Sequence, residues 1–363
     1  TTGDTMLSSP GQAAPAPDSA QEVHLARIES REARSHRIST SILIAIMAVL
    51  MLALVPRTSG TAQFSFLDSL SGKDLGTAKL PGLPTVLVSG ILCALAAVAF
   101  AFKRSHGWIG TIAGVVAGVT VVVGLLTWAA AGASLPFQVS SQLEGTISLA
   151  TPLILGALCG VMCERSGVVN VAIEGQMLTA AFAAALVGSM TQSIAAALVA
   201  AVLAGVLMGA LLALFTIKYL VDEVVMGVVV NLFASGLTGF LFNQLLVTDA
   251  EKYNAAPIME PIAIPGLSRI PFLGPILFNQ TVLVYIGFLC IALVWFLLWR
   301  TRWGLRIRSV GEHPEAADTV GISVTAVRWS AVLVGGVFAG LGGAYFTIGT
   351  VGAFSKNITV GNG

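Results

Sequence analysis

Eight long stretches of this chain contain no Asp, Glu, Lys or Arg: residues 38–56, 80–102, 105–143, 145–163, 175–217, 224–248, 270–299 and 329–355. A helix that crosses a ~30 Å hydrocarbon layer at 1.5 Å per residue needs about 20 such positions in a row. Transmembrane strands would instead show ~10-residue segments of alternating polarity, and no such pattern is visible. The chain therefore reads as an all-α polytopic membrane protein. Its composition agrees: 56% of the 363 residues are hydrophobic and 10% are charged, where a soluble domain carries about 25% charge. So little charge excludes a soluble enzyme. The formal net charge of +1, from 19 basic and 18 acidic residues, excludes the basic excess of a nucleic-acid binder.

Nine spans are expected, over 38–56, 84–102, 108–131, 145–163, 177–190, 194–217, 224–247, 281–299 and 329–350. A polar tail, 1–37, precedes them. Its first 20 residues are rich in Pro, Ala, Ser and Gly and suit disorder. Arg27, Arg31, Arg34 and Arg37 follow at three- and four-residue spacing, as a surface helix or as the solvated flank of the first span. Spans over 38–140 form an N-terminal group, and 141–363 a core with a charged segment, 300–328. Lys and Arg concentrate in cytoplasmic connections. With the N-terminal arginines inside, Lys103, Arg104, Lys218 and the 300–328 segment fall on that same side, a parity that fits the span count.

Cys93, Cys159, Cys163 and Cys290 all lie in apolar runs and read as small packing residues, with neither metal nor cofactor expected. Glycines repeat at four residues in Gly110, Gly114 and Gly118, in Gly156 and Gly160, in Gly205 and Gly209, and in Gly336 and Gly340. Such faces let helix backbones approach in lipid, as static packing or as moving interfaces.

Two places break the apolar rule. Between 164 and 176 stand Glu164, Arg165, Asn170, Glu174 and Gln176, with Gly167 and Gly175 able to interrupt a helix. Irregular backbone at membrane depth survives only inside protein or along water, and ionisable groups there are usually functional. One reading is a broken helix lining a translocation route, its break fixed by an ion pair of Glu164 with Arg165; the other is an ordinary cytoplasmic loop. The second place is 300–322. Pro314 suits a helix start, Glu315 its first turn and Gly321 its stop, so 314–319 reads as a short surface helix. With the small Ala316 and Ala317, that helix has a shape that docks in a partner's groove.

The run Glu164-Arg-Ser-Gly-Val-Val-Asn170 with Glu174-Gly175 resembles the signature of permease subunits of ABC importers for nucleosides and simple sugars, the broad branched-chain amino acid/ribose permease group. Gly304-Leu-Arg-Ile-Arg, Gly311-Glu-His-Pro-Glu-Ala-Ala-Asp and Gly321-Ile322 are similar to that family's cytoplasmic coupling segment, and Asp222-Glu223-Val224 fits it too. The resemblance covers about 145–363; residues 1–140 match only in hydropathy. It implies a bacterial cytoplasmic membrane and a complex of two permeases, identical or different, with two ATPase subunits and an extracellular solute-binding lipoprotein. Gly311, Glu312, Pro314, Ala316, Ala317 and Gly321 would carry ATPase motion into the spans. Asn170, Glu174 and Gln176 would lie near the substrate path; Asn231 is added as a polar residue in mid-span. Family members continue past the ninth span with another apolar hairpin, so a C-terminal truncation is expected.

No Gly-x4-Gly-Lys-Ser/Thr loop, His-Glu-x-x-His or Gly-x-Ser-x-Gly occurs, so ATP hydrolysis is assigned to a partner and the chain is read as a transport subunit, not an enzyme. An ion-coupled secondary transporter of a small polar solute is the alternative, disfavoured by how few ionisable groups sit among the apolar runs. An intramembrane enzyme would need a nucleophile–base pair, and none converges here.

Overall fold

The computed structural model describes residues 31–67, 74–101 and 108–363. The polar tail through Arg27, and Lys73, Lys103 and Arg104, lie outside the described residues. Two compact units divide the chain, one over 1–63 and 79–135, the other over 64–78 and 136–363. Among the described residues, nine helices are long and apolar enough to cross a membrane.

The first unit contains α1 (Arg31–Leu54), α2 (Gly82–Ala101) and α3 (Trp108–Ala130). The Arg37 guanidinium donates to the carbonyls of Phe100 and Ala101, where the end of α2 carries partial negative charge. Among the described residues, a methyl on Gly118 would meet nothing within 4 Å and one on Gly114 only the Phe100 ring at 3.7 Å, so neither glycine serves a close backbone approach.

The second unit contains α4 (Val139–Glu164), α5 (Ile173–Thr191), α6 (Ile194–Ala213), α7 (Glu223–Leu241) and the short α8 (Ala250–Tyr253) and α9 (Leu273–Phe278). Then come α10 (Val282–Arg300), α11 (Arg302–Glu312), α12 (Pro314–Thr319) and α13 (Val324–Phe346). Helices α5 and α13 form its centre: 67% and 72% of their most apolar stretches are buried, against 33% for α6. Their small residues make this possible. A methyl on Gly343 would stand 2.2 Å from the Met177 carbonyl, and one on Gly205 2.5 Å from the Gly336 carbonyl. The Gly205/Gly209 and Gly336/Gly340 repeats thus face each other across the α6–α13 crossing, which has no hydrophobic drive of its own in lipid.

Two expectations need correction. The fifth span is no 14-residue stub: α5 starts at Ile173, so Glu174, Gly175 and Gln176 occupy its first turn and the interruption shrinks to 165–172. The cause is local. Asn170 Oδ1 accepts from the Ala172 N–H at 3.0 Å and Glu174 favours the positive end of the helix. Next, residues before Pro314 are helical, not loop. Thr301 caps α11 by accepting from Gly304 N–H at 3.0 Å, and α11 buries Gly304, Ile307 and Val310. A methyl on Gly304 would lie 2.1 Å from the Leu297 carbonyl, so only glycine permits so sharp a turn out of α10. The all-α reading of the spans holds, and short strands occupy connections between them: Ile262–Ala263 pairs antiparallel with Asn279–Gln280.

Candidate functional site

The interruption 165–172 between α4 and α5 is where most of the polar chemistry of the second unit meets. The chain leaves α4 through Gly167, whose φ of +78° is the left-handed region that glycine enters freely. Ser166 and Val168 are fully buried. Broken helices leave backbone groups without partners, and here side chains from two other helices, α7 and α13, supply them.

Glu223, the first residue of α7, accepts from the Val169 N–H with Oε2 at 2.5 Å. Arg328, in the second turn of α13, donates from Nε to the Ser166 carbonyl at 3.4 Å. An acid thus meets an N–H and a cation meets a carbonyl that the break leaves without helical partners, the signs that the two open ends require. Asn231, in mid α7, bridges the restart: its Nδ2 donates to the Val171 carbonyl at 2.8 Å and its Oδ1 accepts from Gly175 N–H at 2.7 Å. Gly227 permits this approach, since a methyl there would lie 2.7 Å from Val171 Cβ. Gly311, at the end of α11, packs flush on the outgoing turn; a methyl on it would stand 2.3 Å from the Arg165 carbonyl oxygen.

Inside the break, Asn170 is buried and its Nδ2 donates to the sulfurs of Cys159 and Cys163 at 3.3 and 3.5 Å. Those two cysteines do share a helix face, and that face holds the break. Gln176 is fully buried; the Cys159 thiol donates to its Oε1 at 3.5 Å while its Nε2 has no partner. A path-lining residue needs an atom that a solute can reach, and Gln176 has none. Glu174 binds the chain's last residues: Oε1 accepts from Thr359 Oγ1 at 2.5 Å and from Gly361 N–H at 3.0 Å, and Oε2 accepts from Gly363 N–H at 2.8 Å.

Glu164 and Arg165 are both exposed and form no ion pair with each other. Sequence neighbours at a helix end diverge by about 100° and do not face one another. What Arg165 contributes is its carbonyl.

Of the residues assigned to coupling, Gly311 touches the break and Ala317 is buried in the same core cluster as Cys163, Ile307 and Val310. Glu312, Glu315, Ala316 and Asp318 are exposed, as is Val320 beyond the helix. Pro314 opens α12, and Gly321 follows it with φ +84°. Sequence reasoning missed Glu223 and Arg328 as partners of the break. The only sequence signal of Arg328 is its position, a charge at the edge of an apolar run, while Glu223 entered only as part of the Asp222-Glu223-Val224 resemblance.

Comparison with known proteins now identifies the architecture. Residues 142–363 match the family described as branched-chain amino acid transport system / permease component. The guanosine ABC transporter permease protein NupQ of Bacillus subtilis is 41% identical over 228 residues, covering 60% of this chain and 70% of that protein. The nucleoside ABC transporter permease protein NupC of Lactococcus lactis is 41% identical over 225 residues, 59% of this chain and 69% of that one. The putative glucose ABC transporter permease protein TsgC13 of Haloferax volcanii is 34% identical over 222 residues, 61% and 67%. No solved structure matches. A family match over 222 residues, two relatives at 41% identity and nine apolar helices converge: the chain belongs to the branched-chain amino acid transport system / permease component family.

Proposed function

We propose that this chain is the translocating permease of an ABC importer for nucleosides, set in a bacterial cytoplasmic membrane with its N-terminus inside. ATP hydrolysis belongs to separate ATPase subunits that dock on the exposed side of α11 and α12. A second permease, identical or different, completes the pore, and an extracellular solute-binding lipoprotein delivers the solute. The observation that carries this reading is the flush contact of Gly311 with the Arg165 turn. It joins a charged helix pair outside the apolar runs directly to a break in the transmembrane core. A push on α12 moves α11, and α11 has no side chain between itself and the break to absorb the motion. Nucleosides are favoured over sugars because the two relatives at 41% identity carry nucleoside names and the glucose permease stands at 34%.

The test is purification with the partner subunits and reconstitution in proteoliposomes. Guanosine uptake that requires ATP and the ATPase is the expected result, with nucleosides and not monosaccharides raising the melting temperature of the complex. Uptake driven by an ion gradient without ATP would establish the secondary-transporter alternative instead.

A further inference from the structure

After α13 the chain does not continue as an α-helix. It passes through a π-helical turn, Thr347–Val351, and a clamp with residues 254–259. There Ala256 N–H donates to the Gly352 carbonyl and Met259 N–H to the Ile348 carbonyl, both at 2.7 Å. Asn254 and Phe354 exchange two hydrogen bonds, at 3.0 and 2.7 Å. The chain then runs back along α5. The Phe354 ring meets Phe182 edge-on at 5.3 Å, and Phe182 is the central residue of α5. Asn357 Oδ1 accepts from Ser235 Oγ at 3.4 Å, and Ser235 lies at the middle of the span Glu223–Leu246. Thr359 reaches Glu174, at the opposite end of α5 from the clamp. Residues 352–363 therefore travel through mid-membrane depth as a string of turns, closed by Ile358 N–H to Ser355, Val360 N–H to Asn357 and Asn362 N–H to Thr359.

Backbone of this kind is tolerated at such depth only when buried in protein or when it lines water. One side of the segment is buried, through Phe354 and Thr359. The other is exposed and polar: Ser355, Lys356 and Asn357, beside the exposed Ser235 on α7. The Lys356 ammonium rests over the Phe242 ring at 5.7 Å. Phe242 lies in the last turn of the span Glu223–Leu246, so the lysine carries its charge away from mid-depth toward the membrane face.

We propose that this strip is a wall of the solute route at mid-depth, and that Asn357 with Ser235 binds the vicinal hydroxyls of a ribose. The assignment rests on the nucleoside reading. An amide beside a hydroxyl offers donors and acceptors side by side, matching two adjacent hydroxyl groups, while Lys356 repels cations. Glu174 is then a positioning residue: its carboxylate gathers three donors from 359–363 and holds the segment in the route without touching the solute.

Single cysteines placed in the full natural protein, assembled with its partners in membrane vesicles, test this. All four native cysteines are buried and give a low background. Asn357→Cys and Ser235→Cys are expected to react with a water-soluble methanethiosulfonate at least tenfold faster than Leu207→Cys, which is 69% exposed on the apolar α6. Guanosine should slow both reactions, a 2′,3′-dideoxynucleoside should not, and Asn357→Ala should raise the uptake KM about tenfold with little change in maximal rate. Labelling of 357 and 235 as slow as at 207 would sink the route wall. Fast labelling slowed by glucose and not by guanosine would overturn the nucleoside reading and the ribose assignment with it, leaving the wall in place.

Discussion

Gly311 and Arg165 are in contact through backbone alone: a single methyl added to the glycine would sit 2.3 Å from the arginine carbonyl oxygen. Overlap of this kind forces a backbone shift, at a cost of about 1–3 kcal/mol. Gly311→Ala should therefore loosen the 165–172 turn. Arg165 is exposed, so trypsin cleavage after it is the readout, and it should accelerate together with a fall in uptake. Gly321→Ala is the control. Its φ of +84° strains any side chain, but nothing lies within 4 Å, so it should leave cleavage after Arg165 unchanged.

Asn231 ties α7 to both sides of the α5 restart, with Val171 as acceptor and Gly175 as donor. Asn231→Leu keeps the volume and removes both bonds. A buried group left unpaired costs about 1–3 kcal/mol, while measured pair energies in membranes average about 0.6 kcal/mol. The variant should lower the melting temperature of the purified complex while leaving the KM of the surviving transport unchanged. A raised KM at unchanged stability would place Asn231 on the solute path instead of in the lock.

How much of this the sequence disclosed depends on which force set each feature. The spans were legible because lipid forbids charge over about 20 residues, and that constraint is written locally. The break was visible as a polar interruption but placed too wide, because Glu174 and Gln176 look like loop residues. Each is in fact inside a helix and reaches a tertiary partner, Glu174 through Thr359 and Gln176 through its Oε1 with Cys159. Helix α11 was hidden since only Ile307 and Val310 among its residues are large, apolar and buried, too few to set a period against three arginines. The pairing of Glu174 with Thr359 spans 185 positions and that of Asn231 with Gly175 spans 56. Nothing local encodes either one.

The glycine repeats look alike in sequence and differ in the fold. A methyl on Gly205 would meet the Gly336 carbonyl at 2.5 Å and Gly340 Cα at 2.8 Å, whereas one on Gly118 meets nothing within 4 Å. Gly205→Ala should cost about 1–3 kcal/mol by prying α6 from α13. Gly118→Ala should be neutral or slightly stabilising, since alanine is the better helix former by about 1 kcal/mol. Thermal unfolding in detergent separates them, and equal melting temperatures would show that the α6–α13 crossing relaxes without cost.

Ala316 and Ala317 are neighbours on α12 that lie on different faces: Ala316 is exposed, and Ala317 is 4% exposed within the core cluster that holds Cys163 and Ile307. If the outer side of α12 receives the ATPase, with Val320, 73% exposed, beside it, Ala316→Arg should block docking and leave the fold intact. The expected outcome is normal expression and melting temperature, loss of co-purifying ATPase, and uptake down at least tenfold. Ala317→Arg should instead unfold the segment, because it forces a charge into an apolar cluster, and expression should fall. The two variants add the same chemical group one residue apart. A docking surface predicts that they fail for different reasons, so an Ala316→Arg complex that retains its ATPase and transports at the wild-type rate would remove α12 from the interface.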